Sequence, residues 1–181
     1  MATVTLKGNP CTLSGSEIKM GDAAPQVTLV NSKGLEDKVV GGASDKTQLI
    51  VVVPSLDTEV CAAETRRFNV EAAKVEGVEV IVVSMDLPFA ATRFCTTEGI
   101  DNLTVTSDFV NKSFANAYGV LIADGPLAGL TARSIFVVNK DGRIAYKEIV
   151  PEITDEPNYE AAIKGAKDTG SLGASCCGTC Q

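Results

Sequence analysis

The residues of this 181-residue chain best suited to chemistry are its six cysteines, Cys11, Cys61, Cys95, Cys176, Cys177 and Cys180, set in a sequence without a single histidine. A thiolate can attack an electrophile, bind a metal or exchange with a disulfide. The missing histidine removes the usual neutral-pH base and the commonest transition-metal ligand, so neither a Cys-His protease nor a Cys-His zinc site can be built. A reactive cysteine here must be activated by a helix N-terminus, a lysine or an arginine. Cys177-Gly178-Thr179-Cys180 has the Cys-x-x-Cys spacing of redox dithiols. With Cys176 it supplies three thiols, one short of a self-contained tetrahedral zinc site, although two chains together could complete one.

Cys61 is the cysteine whose surroundings are most readable. Gln48 to Val53 is an unbroken aliphatic run of strand length halted by Pro54, and Val78 to Ser84 repeats it. Such runs fit strands covered on both faces, and the helical pattern between them makes a right-handed β-α-β unit. The helix should start after Thr58, whose hydroxyl can accept from the backbone N–H of Cys61, and continue to about Val75 before Gly77, with Glu59 in its first turn. Positions 61, 65, 68, 72 and 75 share a face on which Phe68, Ala72 and Val75 are apolar. Cys61 therefore heads an inward stripe at the carboxyl end of a strand, where unpaired N–H groups favour a thiolate and where open α/β sheets gather ligands. The same placement also suits a small buried hydrophobe, the commoner fate of a cysteine in an apolar stripe.

The remaining elements complete an α/β sandwich with a mixed central sheet. Thr3–Leu6 and Pro10–Leu13 around Gly8-Asn9 read as an N-terminal β-hairpin, with Cys11 a structural residue in it. Helices are expected at Pro88–Glu98, stopped by Gly99, and at Lys112–Tyr118, ended by Gly119; Val105–Ser107 is a short strand. Ser134–Val138 and Arg143–Ile149 flank the turn Asn139-Lys140-Asp141-Gly142 as an antiparallel hairpin, and Pro157 opens a last helix to about Asp168. After the hairpin the order is β-α-β-α-β-α-β-β-α. The expected organisation is one domain over residues 1–168 and a cysteine-containing tail over 169–181.

Pro54-x-x-x-Thr58-x-x-Cys61 at a strand-to-helix junction resembles the active-site signature of peroxiredoxins, and Pro54-Ser55-Leu56-Asp57-Thr58-Glu59-Val60-Cys61 is similar to the thiol peroxidase subfamily, the atypical two-cysteine type. The resemblance extends over residues 2 to 167 through Gly8-Asn9-Pro10, Asp86-Leu87-Pro88-Phe89-Ala90, Arg93-Phe94-Cys95, Ala123-Asp124-Gly125-Pro126-Leu127 and Glu156-Pro157-x-Tyr159-Glu160-Ala161-Ala162. It implies a thioredoxin-like fold in which Cys61 is the peroxidatic thiol, Thr58 hydrogen-bonds its sulfur and the peroxide, and Pro54 shields the pocket. Arg133, in Leu130-Thr131-Ala132-Arg133-Ser134, matches the arginine that stabilises the thiolate. Without the resemblance it would read as a surface or ion-pair arginine, and Arg66 and Arg67 read as solvated helix charges.

Attack on a peroxide leaves a sulfenic acid that over-oxidises unless a second thiol condenses with it. Cys95 matches the subfamily's resolving cysteine, which implies an intramolecular Cys61–Cys95 disulfide. Two helical cysteines should meet only after local unwinding, since a disulfide needs Cα atoms within about 7 Å. The resemblance further implies thioredoxin or a similar dithiol as reductant, hydrogen peroxide and alkyl hydroperoxides as substrates, a homodimer, and no metal, flavin or haem.

The segment from Gly170 to Gln181 departs from the subfamily, whose chains end near the last helix. Its composition is that of a flexible linker carrying thiols, open to three readings: incidental cysteines, a redox relay through Cys176, Cys177 and Cys180, or a metal site. Sixteen basic against twenty-three acidic residues give a net charge of -7, which repels phosphate backbones and anionic membranes. The N-terminus lacks the pattern of a signal peptide, and no apolar run reaches the ~20 residues of a membrane span, so a cytoplasmic location with reduced thiols is expected. A thiol-disulfide oxidoreductase is the competing enzyme, but Thr58 stands where its first cysteine belongs. A redox sensor or metal-holding protein acting through the tail is the competing non-enzyme.

Overall fold

The aliphatic runs form the centre of the fold. A computed structural model describes residues 2–171. In chain order its elements are β1 (Thr3–Leu6), β2 (Asn9–Ser14), β3 (Val27–Asn31), β4 (Asp37–Val40), β5 (Thr47–Val52), α1 (Glu59–Ala72), β6 (Val78–Ser84), α2 (Pro88–Glu98), β7 (Thr104–Ser107), α3 (Ser113–Ala117), β8 (Leu121–Ile122), β9 (Ser134–Val138), β10 (Ile144–Ile149) and α4 (Tyr159–Ser171). Seven strands make one mixed sheet in the order β10-β9-β5-β6-β7-β3-β4, and β1, β2 and β8 make a smaller one. The expected α/β sandwich with an N-terminal hairpin is thus present. The readings placed on Cys176, Cys177 and Cys180 lie outside the described residues.

All six residues of β5 are buried, as its composition requires of a central strand. It pairs in parallel with β6, Val52 opposite Val83, and antiparallel with β9, Val52 opposite Ser134. The two-residue period divides the side chains between two apolar layers. Ile50, Val52, Ile81 and Val83 pack with Phe114, Tyr118 and Phe136 on one face. Leu49, Val51, Val53, Val80 and Val82 pack with Cys61, Phe68 and Ala162 on the other.

Several boundaries differ from the sequence expectation, each for a local reason. β3 and β4 were not expected; each has a single fully buried residue, Leu29 and Val40, so as an edge hairpin they lack a legible apolar alternation. Strand β8 is only two residues long. α1 ends at Ala72 rather than Val75 because the chain tightens there, with Lys74 N–H donating to Glu71 O and Val75 N–H to Ala72 O. α3 excludes Lys112, whose φ of 51° is left-handed, and is capped by Asp108, whose carboxylate accepts from Phe114 N–H and Ala115 N–H. α4 starts at Tyr159 because Asn158, not Pro157, is its cap, with Oδ1 accepting from Ala161 N–H at 3.0 Å, and it runs past Asp168 to Ser171. α2 has the expected ends, with left-handed Gly99 (φ 66°) closing it.

One carboxylate joins the connections before α1 and α2. Asp86 Oδ1 accepts from Ser55 Oγ and Oδ2 from Leu56 N–H, both at 2.7 Å, while its own backbone carbonyl accepts from Ser107 Oγ. Charged acceptors of this kind are worth about 1.5–3 kcal/mol each when well placed. Asp86→Ala should lower unfolding stability by about 2 kcal/mol in a urea titration, and Asp86→Asn, which keeps one acceptor oxygen, by clearly less.

Candidate functional site

The loop from β5 into α1 ends on Thr58, which caps the helix with φ −106°, ψ 147°. Its Oγ1 accepts from Cys61 N–H at 3.3 Å and donates to Ser55 O at 3.2 Å. Pro54 is buried at the strand's end. Cys61 is fully buried, as the inward stripe requires. Thr65, one turn on, donates its hydroxyl to Cys61 O at 2.8 Å.

The second half of the site arrives from the far side of the sheet. Because Ser134 pairs with Val52, Arg133 lies level with the end of β5. The neighbouring Thr131 Oγ1 donates to Val53 O at 2.8 Å, and Val150 N–H donates to Arg133 O at 3.0 Å, so the backbone on both sides is tied down. The side chain is 2% exposed. Its Nη2 donates to Cys61 Sγ at 3.2 Å; Nε and Nη2 both donate to Ile153 O, at 3.1 and 3.0 Å; and Nη1 bonds Glu64 Oε2. Burial works against the guanidinium's charge, but Glu64 and Cys61 outweigh it and hold the group more basic than an ordinary arginine.

Glu64 is the site residue that the sequence reading missed. It is 0% exposed, and its Oε1 has no hydrogen-bond partner among the described residues. Burial pushes its carboxyl up to about 7; Arg133 opposes the shift, and Glu148 and Glu156 add to it. One signal existed. Glu64 is three residues after Cys61 and so lies on the same helical side, yet a glutamate that opens the run Glu64-Thr65-Arg66-Arg67 reads as solvated.

The structure brings Thr58, Cys61 and Arg133 together, with Pro54 at the junction. Cys95, in the last turn of α2, is half-buried and packs against the same apolar layer as Cys61 without a bond to it. Burial raises its thiol above the ordinary range, partly offset by a backbone hydrogen bond. It opens onto a cleft with Ser32, Thr92, Thr96 and Val105. A separate cleft lined by Ser55, Asp86, Arg93 and Phe94 lies between the α1 loop and α2. Cys11 is buried in the other apolar layer, a structural position. Arg66 pairs with Glu98 at 2.7 Å and Arg67 covers the Tyr159 ring at 4.2 Å, both on the exposed side of α1.

Among the described residues no three histidine, cysteine, aspartate or glutamate side chains are grouped to hold a metal, and no helix is long and apolar enough to cross a membrane. What the site presents is a thiol at a helix start facing a fixed cation in a dry setting.

Comparison with known proteins gives the chain a family. The Redoxin family model matches residues 19–163. The thiol peroxidase of Aquifex aeolicus is 53% identical, the match covering 92% of this chain and 97% of that protein. The thiol peroxidase of Campylobacter jejuni is also 53% identical, over 99% of this chain and 98% of its own. That match reaches into the cysteine-containing tail, so the extension is not a departure peculiar to this chain. A crystal structure of a peroxiredoxin-like protein from Aquifex aeolicus superposes with a TM-score of 0.90 at 51% identity, covering 93% of this chain and 98% of that one. A thiol peroxidase from Chromobacterium violaceum shares the fold, with a TM-score of 0.83 at 24% identity over 95% and 98% of the two chains.

The raised carboxyl of Glu64 has a consequence for stability. An acid whose folded value of about 7 exceeds its ordinary 4.5 binds more protons in the native than in the unfolded state between those values. Its contribution is therefore complete below about pH 4.5 and lost as pH rises towards 7. Urea unfolding from pH 4.5 to 8 should show the parent losing stability relative to Glu64→Gln by on the order of 3 kcal/mol. A constant difference would mean that Glu64 does not titrate in this window.

Proposed function

This chain belongs to the thiol peroxidases of the Redoxin family, enzymes that reduce peroxides with a cysteine thiol, and we propose that Cys61 is the thiol that attacks the peroxide. The observation that carries the assignment is the Arg133 Nη2 contact to Cys61 Sγ at 3.2 Å, on a cysteine that also occupies a capped helix start. The sulfur attacks one peroxide oxygen, an S–O bond forms as the O–O bond breaks, and the departing oxide leaves with the electron pair. Charge moves from sulfur to oxygen, so donors must already face both. Arg133 stays charged and offers five N–H groups, and Thr58 stands at the mouth of the helix. Pro54, buried where β5 ends, helps to keep water from the sulfur.

The second half of the proposal concerns Cys95. Its thiol condenses with the Cys61 sulfenic acid, releasing water and leaving a Cys61–Cys95 disulfide, which a thioredoxin-type dithiol then reduces. Both thiols border one apolar layer, on successive helices. Cys95 lies one turn before the Gly99 stop, where a helix frays at least cost, so partial unwinding of α2 can deliver it. The cycle uses thiols alone, in keeping with a cytoplasmic setting.

A homodimer completes the reading. Leu87 and Phe89, at the start of α2, and Phe109 and Val110, on the loop that follows β7, are exposed large apolar side chains. Asp108 N–H to Ser84 O and Ser107 Oγ to Asp86 O hold those loops side by side. Exposed apolar side chains on neighbouring segments suit a self-complementary contact.

With a thioredoxin system as reductant, Cys61→Ser should lose turnover, and Arg133→Met should slow the first step about 10²–10³-fold in stopped-flow, the usual cost of removing a preorganised donor. One peroxide equivalent should yield a Cys61–Cys95 peptide in mass spectrometry, and Cys95→Ser should accumulate the sulfenic acid instead. A Cys61 link to Cys176 would overturn the pairing. In sedimentation, Phe89→Glu should shift a dimeric parent towards monomer; a parent that is monomeric would remove the dimer from the proposal.

A further inference from the structure

The site holds one buried cation and two buried acids. Arg133 meets the sulfur of Cys61 through Nη2 and the carboxylate of Glu64 through Nη1, and all three residues are at or below 2% exposure. A lone guanidinium can balance one negative charge. A second in the same dry pocket would have to be carried on Glu64 Oε1, which has no donor among the described residues, and a buried charge without a partner is costlier than a neutral hydroxyl there.

The groups that face Glu64 point the same way. From its own helix it shares Arg133 with Cys61. From β10 comes Glu148, from the loop before α4 comes Glu156, and from α4 comes the Tyr159 ring, whose phenol is made harder to ionise by burial first, then by its bond to Glu156 and by Glu64. The outer face of that ring carries Arg67, and its hydroxyl bonds Glu156 at 2.9 Å. Arg133 is thus the cation in direct contact with Glu64, and its surroundings are otherwise acidic. That the carboxyl is raised to about 7 agrees with this geometry.

We propose that Glu64 is a positioning residue and the proton store of the site: it is protonated while Cys61 is a thiolate and ionised once Cys61 is oxidised, so that a single negative charge moves between the two partners of Arg133. This rests on Cys61 as the attacking thiol.

The step balances. The Cys61 thiolate, the protonated Glu64 and a hydroperoxide become the Cys61 sulfenic acid, ionised Glu64 and an alcohol, or water from hydrogen peroxide; sulfur is oxidised and the O–O bond reduced. The departing oxide takes up the proton that Glu64 gives up, by exchange through water. Condensation with the Cys95 thiol forms the S–S bond and releases water, with no change in proton count. When a dithiol reduces the disulfide, two S–H protons enter. One ends on Cys95 and the other on Glu64, and Cys61 leaves as thiolate. Arg133 keeps one full counter-charge throughout, so oxidation need not leave the buried guanidinium unpaired. Glutamine at position 64 would retain a carbonyl acceptor for Nη1, and so the placement of Arg133, but it could store no proton.

Proton release separates this role from a structural one. The full chain, reduced and then oxidised with one equivalent of hydrogen peroxide in weakly buffered solution at about pH 6, below the raised value of the Glu64 carboxyl, should take up almost no proton from an indicator dye, whereas Glu64→Gln should take up about one per Cys61 oxidised. Uptake of one proton by both, or of none by Glu64→Gln, would overturn the proposal. Infrared difference spectra of the parent alone provide a second readout that needs no variant to fold. A protonated-carboxyl C=O band should disappear on oxidation and return on reduction, and a spectrum without that change also overturns the proposal. Cys61→Ser distinguishes the two levels: if it still consumes the peroxide equivalent, the Cys61 assignment itself fails, whereas if it loses consumption while the parent and Glu64→Gln take up protons equally, Glu64 alone is rejected.

Discussion

The buried guanidinium of Arg133 is the constraint on which the site depends. A permanent cation at 2% exposure is tolerable only if its N–H groups find acceptors. The structure supplies three acceptors from two elements: Cys61 Sγ and Glu64 from α1, and the carbonyl of Ile153 from the chain that follows β10. Moving any of these elements would strand a charge in an apolar layer. The geometry that brings the guanidinium to the sulfur is for that reason also the geometry that the fold must keep.

The sheet makes that arrangement possible. Parallel pairing of β5 with β6 sends α1 across one face and leaves its start at the strand's carboxyl end, while antiparallel β9 on the other side of β5 delivers Arg133 to the same level. Thr131 and Val53 lock the two approaches together through one hydrogen bond. Asp86 does the same for the loops leading into α1 and α2. Cys61 thereby sits fully buried in the first turn of α1, whereas Cys95 occupies the last turn of its helix at intermediate burial.

Much of this could be read from the chain. Gln48 to Val53 and Val78 to Ser84 are buried strands because continuous aliphatic runs have no solvated face, and Thr58 caps α1 because its hydroxyl can reach an N–H three residues on. Arg133 could be singled out only by resemblance, since an arginine before a strand carries no sign of burial in its own segment. Strands β3 and β4 went unread because an edge hairpin with one buried side chain per strand has little periodicity to detect. The start of α4 shifted by two residues because Asn158 competes with Pro157 for the role of helix boundary, and a side-chain acceptor outweighs a favourable φ.

What the sequence determined by itself is the location and local setting of the thiol. A strand, a stop, a cap and a cysteine fall within about a dozen consecutive residues, and the forces that shape them act over that range. What only the tertiary structure decided is the charge around the thiol. Arg133 reaches Cys61 across 72 positions and Glu64 across 69, and the carboxyl of Glu64 is perturbed by burial beneath elements far along the chain. Desolvation belongs to the packed molecule and not to any segment of it, so a glutamate that reads as an ordinary helix charge becomes the second acid of the site.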